Sequence, residues 1–245
     1  MKDKKVKFFY LPLNRKVLLC LILSVILVSY GVMEFDNPSS EQAVFSQQPK
    51  AYYRGPTEKQ EVALGINVAW GTEYIPQLLD VLEKKDVQAT FFLVGNWVEK
   101  FPDLTANIKE AGHILGNHGY RHRHPKQLSK EELIELIKKN EELIRKEANY
   151  KTKLFAPPYG EVDSRVVKIA DEIGYKTIMW TVDTIDWQRP DPEVINKRVS
   201  SKVVNGAIIL MHPTKPTVKA LPQMIDELKN SGYQIIPIPE LLAAK

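Results

Sequence analysis

From residue 58 onward, short apolar runs alternate with amphipathic stretches of helical period. That alternation restricts the chain to an α/β fold built on a parallel sheet. The apolar runs fall at 62–68, 89–94, the segment at Ile114, 153–155, 175–180, 207–211 and 234–236. Helices are predicted over 74–85, with Leu78, Leu79 and Leu82 on one face, and over 97–111, 129–148, 163–173, 192–203 and 218–230. Ser129 followed by Glu132 forms a capping box, and Asp163 caps a helix that stops at Gly174. Seven strands flanked by helices predict a distorted (β/α)7 barrel, TIM-like, with its chemistry at the C-terminal strand ends. No shorter repeat is present.

The N-terminus has a different character. Residues 1–16 carry Lys2, Lys4, Lys5, Lys7, Arg15 and Lys16 against Asp3, a balance of +5. The whole chain is only +4, so the remainder sits at −1 and nothing suggests nucleic acid. Val17 to Met33 is almost wholly apolar and uncharged. The pattern is that of a signal anchor or signal peptide. Ser29-Tyr30-Gly31 is a poor cleavage site, which favours an uncleaved anchor with its lysines on the cytoplasmic side; the run is short for a bilayer, so cleavage stays open. Cys20, inside this run, is the only cysteine, so no disulfide is expected in the exported part. The predicted organisation is therefore 1–33 basic segment plus anchor, 34–57 linker and 58–245 domain, either membrane-anchored or secreted. The linker is read from Asn37-Pro38-Ser39-Ser40, Gln47-Gln48-Pro49 and Gly55-Pro56.

Four of the five histidines lie between Gly112 and Pro125. Gly116-Asn117 breaks an apolar run just before His118, and His122 follows four residues later. Two imidazoles at that spacing begin a zinc-type site, but clustered His, Arg and Pro also suit a solvated loop; this stretch alone leaves both open. The other strand ends carry a related theme. Asn67 ends the first, Ala156-Pro157-Pro158-Tyr159-Gly160 follows the fourth, Asp183-Thr184-Ile185-Asp186-Trp187 the fifth, and His212 the sixth.

These motifs, with Ala89-Thr90-Phe91-Phe92-Leu93-Val94-Gly95 and Gly112-His113-Ile114-Leu115-Gly116-Asn117-His118, resemble the polysaccharide deacetylases. That group shares the NodB homology domain and forms the fourth carbohydrate esterase family. The resemblance runs from about Glu61 to the C-terminus. It implies hydrolysis of N-acetyl groups on cell-wall glycans, peptidoglycan or chitin-like polymers, by a divalent metal, usually zinc, held by one Asp and two His. His118 and His122 match the metal histidines, His212 the general acid, and Asp186 the carboxylate that holds its tautomer. Tyr159, Trp187 and Pro158 match the wall of the sugar groove.

The departures bear on activity. The family's Thr-Phe-Asp-Asp appears here as Gly65-Ile66-Asn67-Val68. Asn67 holds the base position and cannot accept a proton near neutral pH; Val68 replaces the metal aspartate and cannot ligate. Ala156 stands where the third motif opens with Arg, consistent with the lost anionic partner. Trp70-Gly71 matches a subgroup of sporulation-associated Gram-positive proteins that also lacks the metal aspartate. Zinc or another divalent metal is thus expected to bind weakly, if at all.

Other residues take plainer expectations. His113 is read as structural, His124 as loop surface that could reach a substrate or metal, Trp97 and Trp180 as core, and Trp70 as core or groove wall. Glu73 is expected on the surface at a helix start, and the Lys/Glu alternation across 130–147 as a solvated helix face. Two functions remain: a metal-dependent N-deacetylase of reduced activity, or an inactive carbohydrate-binding or scaffold protein of the cell envelope.

Overall fold

A computed structural model describes residues 14–15 and 48–243. The apolar run from Val17 to Met33, read as an anchor, lies outside the described residues. Among those described, no helix is long and apolar enough to cross a membrane. Residues from Pro49 on form one compact unit, to which the following description applies.

Among its described residues the nine strands are β1 (Ala51–Tyr52), β2 (Glu61–Val68), β3 (Thr90–Leu93), β4 (Ile114–Asn117), β5 (Leu154–Phe155), β6 (Lys176–Ile178), β7 (Val182–Asp183), β8 (Ile208–Met211) and β9 (Gln234–Ile235). They pair in the order β1-β6-β5-β4-β3-β2-β8-β7, all parallel, with β9 on the early part of β2. The sheet curls into a half-barrel, consistent with a distorted barrel. Among the described residues of this unit the α-helices are α1 (Ile75–Lys84), α2 (Gly95–Lys100), α3 (Pro102–Glu110), α4 (Lys130–Ala148), α5 (Ser164–Glu172), α6 (Pro192–Lys202), α7 (Lys215–Asn230) and α8 (Ile238–Ala243).

Burial explains why β2 reads as an apolar run from Val62 to Ile66. Val62, Leu64, Ile66 and Val68 join a core with Leu78 and Leu82 of α1, Ile108 of α3 and Ile225 of α7. Ala63 belongs instead to the cluster inside the curl, with Phe92, Ala156, Ile178, Ile208 and Ile238. Both faces are covered, as a parallel sheet requires, and the two-residue period assigns Asn67 to the inner face and Val68 to the outer. Gly116 is demanded by the inner face: a Cβ there would lie 2.3 Å from Phe92 Cδ1 on the neighbouring strand.

The structure corrects the expected elements at several points. The stretch 34–57 read as linker contains β1, whose Ala51 and Tyr52 pair with Thr177 and Ile178. Strand β7 was not expected; its two residues are too short to show a period. The helix expected over 97–111 is two, because Phe101 leaves helical geometry (φ −131°, ψ 61°) before Pro102, which opens α3. The capping box at Ser129 and the Asp163 cap are present as expected.

Candidate active site

The C-terminal ends of β2, β4, β7 and β8 surround one groove of about 390 Å³. Asn67, Ala69, Asp183 and Leu210 line it, together with His118, His122 and His212, and Trp70, Tyr159, Trp180 and Trp187 complete the wall.

Position 118 is set by a buried polar lattice. The Asn117 side chain donates to the Ile137 carbonyl at 2.8 Å and accepts from the Gly119 and Asn140 nitrogens, while Asn140 also donates to the Leu93 carbonyl. These bonds tie the loop after β4 to β3 and α4. His118 is buried, and its Nδ1–H donates to the Ala156 carbonyl at 2.7 Å. A carbonyl can only accept, so Nε2 carries the lone pair. Burial, reinforced by His122, pushes the His118 pKa down to about 3. His122, at φ 50°, brings its ring centroid to 4.9 Å from that of His118, and burial lowers its pKa as well, with His212 adding to the effect. The two matched metal histidines are therefore adjacent and neutral.

On the opposite side, His212 Nδ1–H donates to Asp186 Oδ1 at 2.8 Å, and the His212 backbone N–H donates to Oδ2 at 2.6 Å. The Thr217 hydroxyl also donates to Oδ2, at 2.5 Å. Asp186 is fully buried, so these donors are what its charge has in place of water. Trp70 stacks on the His212 ring, 5.9 Å between centroids and 7° from parallel. Gly71 makes this possible: at φ 75° its Cβ would meet the Pro213 carbonyl oxygen at 2.0 Å. The open choice for Trp70 is resolved as groove wall.

The aromatic rim is exposed, at 40% for Trp70, 56% for Tyr159 and 52% for Trp187. Tyr159 is held at φ 60° with His122 edge-on at 4.4 Å and His124 stacked at 4.0 Å. Glu161 accepts from His124 Nδ1 at 2.8 Å. His124, read as loop surface, is thus a support for the rim. Trp180 faces the groove rather than lying wholly in the core, Trp97 is core, and Pro158 is buried in the turn and does not line the groove. His113 is structural: its Nδ1 accepts from the Ala89 N–H at 3.3 Å. Thr217 and the groove position of Asp183 escaped the sequence reading. Thr217 was hidden in a helix cap, whereas Asp183 stood inside a recognised motif without a role.

The replaced positions divide. Asn67 is 6% exposed, lines the groove and has no protein hydrogen-bond partner for its amide among the described residues. Val68 is fully buried and outside the groove lining. Ala156 borders a separate void of about 10 Å³ with Asn67, Phe92 and Trp180. A metal would find the two imidazoles and no carboxylate beside them; among the described residues no three His, Cys, Asp or Glu side chains are grouped to hold an ion. Two imidazoles fill half of a tetrahedral shell, so the protein's donor set for a metal is incomplete.

The polysaccharide deacetylase family model matches residues 54–178. A peptidoglycan-N-acetylglucosamine deacetylase of Bacillus cereus is 32% identical over 98% of this chain and 91% of its own length. An uncharacterised Bacillus subtilis protein is 46% identical over 80% of the chain, which spans 62% of that relative. Among solved structures, a pseudoenzyme of carbohydrate esterase family 4 from Bacillus anthracis is 48% identical, covering 79% of this chain and 69% of its own, with a TM-score of 0.78. A mutant of that pseudoenzyme with restored enzymatic activity superimposes equally well. The chain thus belongs to the polysaccharide deacetylase family.

Proposed function

We propose that this protein holds cell-wall glycan containing N-acetylglucosamine in the groove and hydrolyses its N-acetyl groups weakly or not at all. One observation carries the reading: the aromatic rim, the His118/His122 pair and the hydrogen-bonded His212–Asp186 pair are kept around a groove whose base position is an amide. His212 retains the tautomer in which Nε2 can exchange a proton with a bound sugar. Asn67 cannot take a proton from water, which typically costs a factor of about 10²–10⁴ in rate. The Bacillus anthracis relative, a pseudoenzyme that regains activity on mutation, supports the same division between fold and chemistry.

Several finer points belong to this proposal. The domain is the family's distorted (β/α)7 barrel. Zinc or another divalent ion binds weakly at His118 and His122, with water completing its shell. Val17 to Met33 anchors the chain in a membrane, or is removed on secretion, with the domain outside the cytoplasm. The Trp70-Gly71 pair suggests a sporulation setting. The test is acetate release from N-acetylglucosamine oligomers by the full chain, with and without added zinc, alongside tryptophan fluorescence on titration with the same oligomers. The expected result is a fluorescence change with acetate release at least about 10²-fold below a member that keeps the base. Release at that member's rate would overturn the reading.

A further inference from the structure

The groove's charge does not suit the acetylated sugar best. Asp183 is the carboxylate that lines it, and no lysine or arginine does. One Asp183 oxygen accepts from the Ile185 N–H at 2.8 Å, and no cation pairs with the carboxylate among the described residues. Asn67, more than nine-tenths buried, presents an unpartnered amide to the same space. The groove therefore offers a fixed negative charge, a free amide oxygen, the His118 Nε2 lone pair and three exposed aromatic faces. All four are acceptors for a cation. An N-acetyl group could take a hydrogen bond from the Asn67 NH2, but it brings no positive charge to Asp183.

We infer that the sugar unit seated over Asn67 is a deacetylated one, a 2-amino-2-deoxyglucosyl residue in its ammonium form, so that the protein reads glycan from which acetyl groups have already been removed. The ammonium donates to Asp183 and to Asn67 Oδ1, and its ring lies against the aromatic rim. Hydrogen bonds between ionised partners are about twice as strong as neutral ones. The inference rests on the groove being a glycan site, and it deepens that reading by naming the form of the glycan. It places the protein after a deacetylation step carried out by another enzyme.

The experiment is calorimetric titration of the full chain with glucosamine tetramer and, separately, N-acetylglucosamine tetramer. It is run at about pH 6, where such an amine is charged, with a chelator so that no divalent ion competes for the imidazoles. The amino tetramer is expected to bind about tenfold more tightly or better at low salt, an advantage that shrinks as salt screens the charges. Asp183→Asn, which keeps an oxygen for the Ile185 N–H, should bring the ratio of the two affinities close to one. Asn67→Asp should raise it further. Equal affinities, a preference for the acetylated tetramer, or a ratio unmoved by both variants would overturn this inference and leave the glycan groove standing. Binding of neither tetramer would overturn both.

Discussion

Restoring the two lost carboxylates together, by Asn67→Asp with Val68→Asp, separates what the groove lacks from what it keeps. The two positions are not equivalent. Asn67 lies on the inner face and already lines the groove, so a carboxylate there needs little rearrangement. Val68 is fully buried among residues of α1, α2 and the outer face of the sheet. Removing it forfeits about 1.5–3 kcal/mol of apolar burial, and a carboxylate in its place has no donor waiting, so a total loss of about 3–5 kcal/mol is expected. That is a large part of the roughly 5–15 kcal/mol that holds a domain together. Zinc reverses part of it only if the carboxylate introduced at position 68 turns to meet His118 and His122. At a hundred times its dissociation constant the ion returns about 2.7 kcal/mol. The double variant should therefore melt well below the original protein without zinc and gain more from zinc than the original does. With zinc bound, acetate release should rise by about 10²-fold or more, the value of a general base. Adding Ala156→Arg increases this only when position 67 carries the carboxylate that pairs with it. Because the adjoining void is about 10 Å³, the larger side chain also costs about 1–3 kcal/mol unless Trp180 shifts. Thermal melts with and without zinc, followed by acetate assays on the folded variants, decide the matter. If zinc stabilises the double variant no more than the original, position 68 cannot turn a carboxylate to the imidazoles, and the metal half of the argument is wrong. A folded, zinc-loaded variant that releases no more acetate would mean the groove has diverged beyond its missing carboxylates.

Three further outcomes are expected. Burial lowers the His113 pKa to about 4, from an ordinary value of 6.5, so the unfolded chain takes up the proton first as pH falls. Its contribution to stability is complete above about pH 6.5 and declines toward pH 4, by at most about 3 kcal/mol, with no further loss from this group below that. His113→Phe should reduce the slope of urea-derived stability across that window, where His118 and His122 still leave a dependence, and an unchanged slope would refute the burial argument. Thr217→Val removes a donor from the buried Asp186 carboxylate and should cost about 1–3 kcal/mol in urea denaturation; a loss under about 0.5 kcal/mol would show that the two donors from His212 suffice. Ser129→Ala removes the reciprocal cap of α4 and should cost about 1 kcal/mol by the same measurement, whereas no change would show that packing alone holds the helix start.

The fold class was legible because burial on both faces writes itself into a chain locally: β2 is apolar from Val62 to Ile66, and the caps at Ser129 and Asp163 satisfy their own backbone N–H groups within three residues. The site residues His118, His122, Asp186, His212, Tyr159 and Trp187 were named from motifs, and the substitutions at 67, 68 and 156 were visible in the same way. Elements of two residues were not. β1 and β7 show no period of their own, and they are strands only because β6 and β8 supply their partners. The groove's electrostatics were equally out of reach of the sequence. Thr217 meets Asp186 across thirty-one positions of sequence, Trp70 lies over His212, and His124 supports Tyr159. Sequence can state which groups are present, since a residue's chemistry travels with its identity. Whether Asp183 has a counter-charge, or Val68 faces the groove or the core, depends on which strands lie side by side, and only the folded sheet decides that.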